Sequence, residues 1–174
     1  MKCRFCKNQL TDIFLNLGYT PLANSYLKKT EIEKPELSFP LCAYVCKKCF
    51  LVQIDEEEKP ENIFTNYAYF SSTSTYMVNH FSQLAQNVID RYLNSPVPFV
   101  LEIGSTDGIM LQHFMNSEMR HLGVEPSSNV AQVAIGKGVA TICEFFNDDL
   151  LMAFTVVMVM MVGDSLHFII VMGF

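Results

Sequence analysis

The chain has 174 residues, of which 50% are hydrophobic, and its net charge at pH 7 is -6. So large an apolar fraction predicts a globular domain with a small appended module and excludes a disordered chain. The negative charge, without a cluster of Lys and Arg among aromatic residues, argues against nucleic-acid binding. The N-terminus shows no apolar signal segment, so we expect a cytoplasmic protein whose cysteines are metal ligands or free thiols rather than disulfides.

Two C-x2-C pairs occur in the first third of the chain, Cys3 with Cys6 and Cys46 with Cys49. A gap of two residues lets a tight turn direct two thiolates at one tetrahedral ion, and two such turns complete a closed four-cysteine zinc site. The pattern therefore predicts structural zinc, ahead of unmetallated thiols or an iron–sulfur cluster. Cys42 is an alternative ligand, but its gap of three residues to Cys46 fits such a turn less well.

The segment between the two pairs is longer than in common zinc fingers, so it must contain structure of its own. Gly18 and Pro21 are turn signals between apolar runs, and "LSFPLCAYVC" predicts a strand that leads into the second pair. The charged run at residues 55–61 is expected to be a solvated loop. We therefore place a zinc-binding module at residues 1–60.

A helix is predicted in the connecting segment, residues 61–98, because apolar residues recur there at spacings of three and four. These residues are Met77, Phe81, Leu84, Val88 and Tyr92. The candidates for the N-cap are Ser72, Thr73 and Ser74. Two prolines at positions 96 and 98 end the helix, because they disfavour helical geometry in the residues before them.

A cluster of aromatic and hydroxyl residues precedes this helix. Its members are Tyr67, Tyr69, Ser71 and Ser72. The cluster could line a pocket for a polar ligand, and ordinary surface is the alternative.

The stretch "FVLEIGSTDG", residues 99–108, predicts a strand that ends in a turn, and "IMLQHFMNSEM" after it predicts a helix. Gly104 permits the turn where a ligand approaches, and a helix that begins near Ile109 offers free N–H groups. "HLGVEP" predicts a second strand ending in Glu125, at the offset where a carboxylate can bind a ribose diol. These features predict a nucleoside site. The alternative is a strand, turn and helix that bind no ligand of this kind.

The sequence of this loop excludes two common nucleotide sites. It lacks the second glycine of G-x-G-x-x-G, which brings the backbone against a pyrophosphate, and this disfavours NAD and FAD. No Gly-Lys-Ser/Thr follows, which excludes a P-loop. A nucleoside ligand without phosphates, such as S-adenosylmethionine, suits the loop better.

Seven motifs between residue 3 and about residue 148 occur in an order and spacing that resemble one enzyme family. They are "CRFC", "LGYTPLANSYL", "FPLCAYVCKKCFLVQ", "IFTNYAYFSSTSTYMVNHF", "LEIGSTDGIMLQHF", "GVEPSSNVAQVAIGKGV" and "FF" at 145–146. The family is the zinc-binding class I S-adenosylmethionine-dependent C-methyltransferases, which methylate carbon on nucleotide-linked keto-deoxysugars. The resemblance implies an α/β fold in which a four-cysteine zinc module precedes a Rossmann-like parallel sheet.

The same resemblance implies the ligands of two cofactors. Zinc would be bound by Cys3, Cys6, Cys46 and Cys49. S-adenosylmethionine would be bound by Glu102, Gly104, Ser105, Asp107, Gly108 and Glu125. Thr106 departs from the family pattern, in which Asn, a residue that tolerates left-handed backbone geometry, is common at this position.

Too few residues follow Gly104 for the complete sheet of that family. The resemblance therefore implies a truncated Rossmann-like domain at 99–174, and no stretch matches the family's C-terminal catalytic region. We assign no catalytic residue and expect no sugar methylation by this chain alone. A non-catalytic zinc-stabilised module for nucleotide or sugar binding, and a vestigial fragment, are the alternatives.

The composition changes from about residue 150 onward. Residues 150–174 contain one acid, no Lys or Arg, and half of the chain's ten Met residues. Their apolar stretch is too short for a membrane helix, so a membrane protein is not expected. The segment "TVVMVMMVGDSLHFI" predicts an inner parallel strand, with a non-native tail as the alternative. "FIIVMGF" would then be an incomplete element with unpaired edges, which predicts association through the sheet.

Overall fold

A computed structural model describes residues 1–55, 58–93, 96–153, 158–161 and 168–172, with backbone alone from residue 151 onward. The chain divides into two compact units, Met1–Ile63 and Phe64–Phe174. The predicted boundaries at residues 60 and 98 stay predictions. Within the described ranges, no helix is both long enough and apolar enough to cross a membrane.

The first unit contains a three-stranded antiparallel sheet in the order β1-β2-β3. Its strands are β1 (Asp12–Thr20), β2 (Phe39–Val45) and β3 (Val52–Ile54). Strand β2 confirms the strand predicted before the second cysteine pair.

The turn predicted at Gly18 is wrong, because β1 continues through it. Gly18 has a φ of 75° and lies where the pairing of β1 with β2 shifts register, between Asn16 and Tyr19. The Asn16 side-chain oxygen accepts a hydrogen bond from the Gly18 N–H at 2.9 Å. The glycine therefore forms a bulge that bends the strand without ending it.

The core of the first unit is small and contains the cysteines. Cys3, Leu10 and Cys46 are buried together, and Tyr44 packs against them. Strand β1, by contrast, exposes Ile13, Phe14, Leu15, Leu17 and Tyr19. So few buried apolar side chains provide little stability, which makes the module depend on whatever its cysteines bind.

The second unit is built around a five-stranded sheet in the order β6-β5-β4-β8-β7. Its strands are β4 (Phe99–Ile103), β5 (Arg120–Val124), β6 (Thr141–Ile142), β7 (Met158–Met161) and β8 (Phe168–Met172). The α-helices in the described part of the chain are α1 (Pro60–Phe64), α2 (Thr75–Tyr92), α3 (Leu111–Asn116), α4 (Ser128–Gly136) and α5 (Asp148–Ala153). Strands β4, β5 and β6 are parallel, which confirms the predicted α/β fold with a parallel sheet.

Helix α2 confirms the helix predicted from apolar spacing. Ser74 is its N-cap, and the Ser74 hydroxyl oxygen accepts a hydrogen bond from the Met77 N–H at 3.3 Å. Phe81 and Val88 are buried in the cluster that contains Val100 of β4. One residue of the predicted stripe, Tyr92, is 44% exposed because it ends the helix beyond this core.

The inner position predicted for the strand in the tail is wrong, although β7 runs in the same direction as β4. Strand β7 lies at the edge of the sheet and pairs antiparallel with β8, which in turn pairs antiparallel with β4. Parallel pairing needs a crossover of a dozen or more residues, and β7 and β8 are too close in the chain for one. Residues 168–172 are therefore paired on both sides, contrary to the expected incomplete element.

Candidate functional site

The four predicted zinc ligands lie in one group. The Sγ atoms of Cys3 and Cys49 are 3.6 Å apart, and those of Cys6 and Cys46 are 3.5 Å apart. All four sulfurs lie within 4.8 Å of one another. Tetrahedral zinc with Zn–S bonds of about 2.3 Å places its sulfurs about 3.8 Å apart, so the group fits zinc closely. The alternative ligand Cys42 lies outside this group, on β2 opposite Asn16.

Two backbone turns of the same form bring the sulfurs together. The residue after each C-x2-C pair is left-handed, with a φ of 59° at Lys7 and 62° at Phe50. The Lys7 N–H donates to the carbonyl of Cys3 at 3.0 Å, and the Phe50 N–H donates to the carbonyl of Cys46 at 2.8 Å. The predicted turns are therefore present, although neither has glycine at the position where left-handed backbone is required.

Backbone N–H groups lower the pKa values of two of these thiols. The N–H of Cys6 donates to Cys3 and lowers the pKa of that thiol to about 6. The N–H of Cys49 likewise lowers the pKa of Cys46. The N–H of Leu51 lowers the pKa of Cys49, but burial and the neighbouring sulfurs outweigh it and raise that pKa to about 12. Four sulfurs at this separation cannot all carry a negative charge without a cation, and a zinc ion would provide the positive charge that lets all four ionise.

Gln53 on β3 is a residue of the zinc centre that the sequence analysis missed. Its side-chain N–H donates to the sulfur of Cys3 at 3.4 Å, and its side-chain oxygen accepts from the Arg4 N–H at 3.0 Å. It is buried, with 7% of its surface exposed. The sequence offered no signal for it, because a glutamine between Val52 and Ile54 predicts an exposed polar side chain, whereas the structure buries Gln53 and exposes both neighbours.

Replacing Gln53 with alanine is expected to weaken metal binding by about 10- to 100-fold, as is usual for a residue that supports a ligand. The reason is that the sulfur of Cys3 loses a hydrogen bond and the backbone N–H of Arg4 loses its acceptor. Competition with a chromophoric chelator measures the zinc affinity, and cobalt substitution reports the sulfur-to-metal absorption band. The matched control is Gln9→Ala, an exposed glutamine in the same module. Equal affinity of Gln53→Ala and wild type would show that the hydrogen bond to Cys3 is unimportant.

The glycine loop follows β4 and closes over the end of β5. The N–H groups of Gly104 and Ser105 both donate to the Val124 carbonyl, at 2.8 and 3.2 Å. Gly104 and Gly108 have φ values of 73° and 75°, and Thr106 has a φ of 48°. Thr106, the departure from the family pattern, therefore occupies the left-handed geometry that a β-branched residue adopts at a cost of about 1–2 kcal/mol.

A cavity of about 410 Å³ opens at the carboxyl ends of β4 and β5. Its lining is mainly aromatic and apolar, with polar groups from the glycine loop and the turn after β5. The lining residues are Phe64, Tyr67, Tyr69, Ser71, Ile103, Gly104, Thr106, Val124, Glu125, Pro126, Ser127, Val130, Phe145 and Phe146. Three members of the aromatic and hydroxyl cluster thus line a pocket, whereas Ser72 does not.

Glu125 is the carboxylate of this cavity, and its orientation is fixed by two backbone groups. One carboxylate oxygen accepts from the Thr106 N–H at 3.0 Å, and the other accepts from the Ser127 N–H at 2.8 Å. The residue is only 5% exposed. Each oxygen keeps a second lone pair for another donor. The carboxylate can therefore accept hydrogen bonds from two neighbouring hydroxyl groups of a ligand.

The other predicted donor-binding residues occupy different places. Gly104 lines the cavity, whereas four others are buried outside its lining: Glu102, Ser105, Asp107 and Gly108. Asp107 accepts hydrogen bonds from Ser72 and lies 3.5 Å from the ammonium of Lys137. Glu102 lies on β4 and the other three belong to the glycine loop, and a direct contact with a methyl donor stays a prediction for each of the four.

Comparison with known proteins identifies the class of the N-terminal segment. Residues 3–64 match the methyltransferase family segment described as "Putative zinc binding domain". Over 141 residues the chain is 31% identical to the C-methyltransferase NovU of Streptomyces niveus, an alignment covering 81% of this chain and 34% of NovU. The resemblance to zinc-binding C-methyltransferases is thus confirmed, and the chain spans about a third of the length of this relative.

Proposed function

We propose that this chain provides the zinc-binding and methyl-donor-binding parts of an S-adenosylmethionine-dependent C-methyltransferase. The observation that carries the proposal is the oriented carboxylate of Glu125 in a cavity at the carboxyl ends of β4 and β5. Ligands of open α/β sheets bind at this end of the strands. The relationship to a C-methyltransferase supports the same reaction class.

The cavity suits the nucleoside part of the donor. Its volume lies within the range of about 300–1,000 Å³ that is common for small-molecule sites. The aromatic side chains of Phe145, Phe146 and Tyr67 line the cavity and provide apolar surface for a purine. Glu125 provides acceptors for the two ribose hydroxyls. When bound, S-adenosylmethionine supplies an electrophilic methyl group, and the residues of this chain orient its nucleoside.

The zinc centre has a structural role in this proposal. Four sulfurs leave no open coordination position at a tetrahedral ion, and closed sites of this kind stabilise folds rather than activate water. The metal therefore holds together the small first unit and takes no part in methyl transfer.

The acceptor that we propose is a nucleotide-linked keto-deoxysugar, methylated on carbon next to the ketone. Its support is the family resemblance of the motifs together with the C-methyltransferase relative. Such a reaction needs a base within hydrogen-bond reach of an acidic C–H group. We expect this chain alone to transfer no label from S-adenosylmethionine to a panel of keto-sugars, because it lacks a match to the family's catalytic region. Label in a sugar would contradict this expectation and would show that the chain is an enzyme rather than a binding module.

The donor site is tested by Glu125→Gln. We expect wild type to bind S-adenosylhomocysteine and this variant to bind it about 10- to 100-fold more weakly, because hydrogen bonds to a charged group are worth about 1.5–3 kcal/mol. Titration calorimetry on the zinc-loaded chain measures both affinities. Glu118→Gln, a substitution at an exposed glutamate, is the matched control and should bind as wild type does.

Two results would contradict this assignment. Equal binding by wild type and Glu125→Gln would remove Glu125 from the site. Tighter binding of NAD than of S-adenosylhomocysteine would replace the proposed donor by a different nucleotide.

A further inference from the structure

One wall of the cavity is a segment without regular secondary structure over most of its length. We call residues 64–72 the strap. Its cavity-lining residues are Phe64, Tyr67, Tyr69 and Ser71. The rings of Phe64 and Tyr67 contact each other, with centroids 5.5 Å apart. The position of the strap therefore sets the distance between the aromatic wall and the opposite side of the cavity.

Asn129, the second residue of α4, holds the middle of the strap. Its side-chain oxygen accepts from the Tyr67 N–H at 3.0 Å, and its side-chain N–H donates to the Tyr67 carbonyl at 2.7 Å. The neighbouring Ser128 hydroxyl donates to the Thr65 carbonyl at 3.0 Å. One carboxamide thus satisfies both backbone polar groups of a residue that faces the cavity.

The far end of the strap is held by the glycine loop. Asp107 accepts hydrogen bonds from the N–H and the hydroxyl of Ser72, and it is fully buried. The ammonium of Lys137 lies 3.5 Å from the Asp107 carboxylate and donates to the Asp107 carbonyl at 2.7 Å. The strap is therefore attached to the glycine loop at one point and to the start of α4 at another.

The start of α4 also sets the position of Glu125. Ser127, the residue just before the helix, donates its N–H to the Glu125 carboxylate, and Asn129 follows two residues later. The same helix end therefore holds the ribose-binding acid and the aromatic wall. A ligand that contacts both sides of the cavity depends on this shared attachment.

We propose that Asn129 is a positioning residue of the cavity, which holds Tyr67 so that the strap packs against a bound nucleoside. This inference rests on the proposed function. Fixing a wall before the ligand arrives lowers the entropy lost on binding, so loss of the attachment should appear in affinity. Asn129 itself need not contact the ligand.

The test compares zinc-loaded wild type, Asn129→Ala and Gln132→Ala. Gln132 is an exposed amide on the same helix and serves as the matched control. Hydrogen exchange detected by mass spectrometry measures the strap, and calorimetry measures the affinity for S-adenosylhomocysteine. We expect Asn129→Ala to speed amide exchange in residues 64–72 and to weaken binding about tenfold, a loss that corresponds to one or two hydrogen bonds. Gln132→Ala should match wild type in both measurements.

The outcomes separate this inference from the proposed function. If wild type does not bind S-adenosylhomocysteine, the proposed function fails and the inference fails with it. If wild type binds but Asn129→Ala binds equally well despite faster exchange in the strap, Asn129 is merely structural and the inference alone is wrong. Unchanged exchange in the variant would show that the attachment to Tyr67 does not hold the strap.

A measurement on wild type alone covers the case in which Asn129→Ala does not fold. Saturation with S-adenosylhomocysteine should slow exchange in residues 64–72 by several-fold while leaving the exposed end of α2 unchanged. Binding without any added protection of the strap would overturn the inference.

Discussion

Replacing Cys46 with serine should abolish zinc binding and unfold the first unit. The variant removes a buried ligand from a closed site, and structural zinc contributes about 10–16 kcal/mol to the folding of small metal-dependent modules. The apolar core of this unit is too small to compensate, because β1 exposes its large side chains. Elemental analysis gives the zinc content, and hydrogen exchange over residues 1–63 gives the loss of structure.

The control for this experiment is Cys42→Ser. Cys42 lies on β2 outside the group of four sulfurs, so this variant should keep about one zinc per chain and the protection of the first unit. Loss of zinc in Cys42→Ser with retention in Cys46→Ser would mean that the ligand set is wrong.

Replacing Gly123 with alanine should disrupt the glycine loop and the cavity together. A Cβ atom at Gly123 on β5 would lie 2.4 Å from the Ser105 hydroxyl oxygen and 3.0 Å from a Leu111 methyl group. Ser105 is fully buried and cannot move aside freely, so we expect a destabilisation of about 1–3 kcal/mol, as for other overpacked cores. Chemical denaturation measures the stability, and calorimetry should show weaker binding of S-adenosylhomocysteine.

Gly136→Ala is the matched control, because a Cβ atom at this end of α4 meets no other atom within 4 Å. We expect this substitution to be neutral or to stabilise the chain by about 0.4–1 kcal/mol, because alanine lowers the conformational entropy of the unfolded chain. If Gly123→Ala behaved in the same way, the close packing of the loop on β5 would have no energetic importance.

The features that the sequence predicted well are those set by local spacing. The C-x2-C pairs determine two turns by themselves, and the four sulfurs meet at the separations that zinc requires. The apolar periodicity from Met77 onward correctly predicted α2, and its N-cap, Ser74, is one of the three predicted candidates. The strand, turn and helix around Gly104 were recognisable because glycine permits a left-handed turn that few other residues adopt.

The features that the sequence did not predict depend on contacts between distant parts of the chain. Gln53 becomes part of the zinc centre only because β3 pairs with β2 and brings its amide to Cys3. The hydrogen bonds of Asp107 to Ser72, which tie the loop to the strap, were likewise not predicted. Asn129 showed no signal, since a polar residue in the first turn of a helix is ordinary.

The tail was predicted incorrectly because its pattern was not specific. A continuous apolar run is consistent with a buried strand in either direction, so composition cannot distinguish parallel from antiparallel pairing. The connection between β7 and β8 is too short for a crossover, so these two strands pair antiparallel. Strand β7 therefore lies at the edge of the sheet, although it runs in the same direction as β4.

The two neighbours of β4 differ in how far along the chain they lie, and this difference affects the order of assembly. Phe99 pairs with Arg120 of β5 on one side and with Met172 of β8 on the other. Closing the longer loop costs more chain entropy, which favours pairing of β4 with β5 before β8 joins the sheet. During synthesis on the ribosome, all the residues of the glycine loop, β5 and Glu125 emerge ahead of β8. The loop and the carboxylate that line the cavity can therefore begin to take their places while β7 and β8 are still being made.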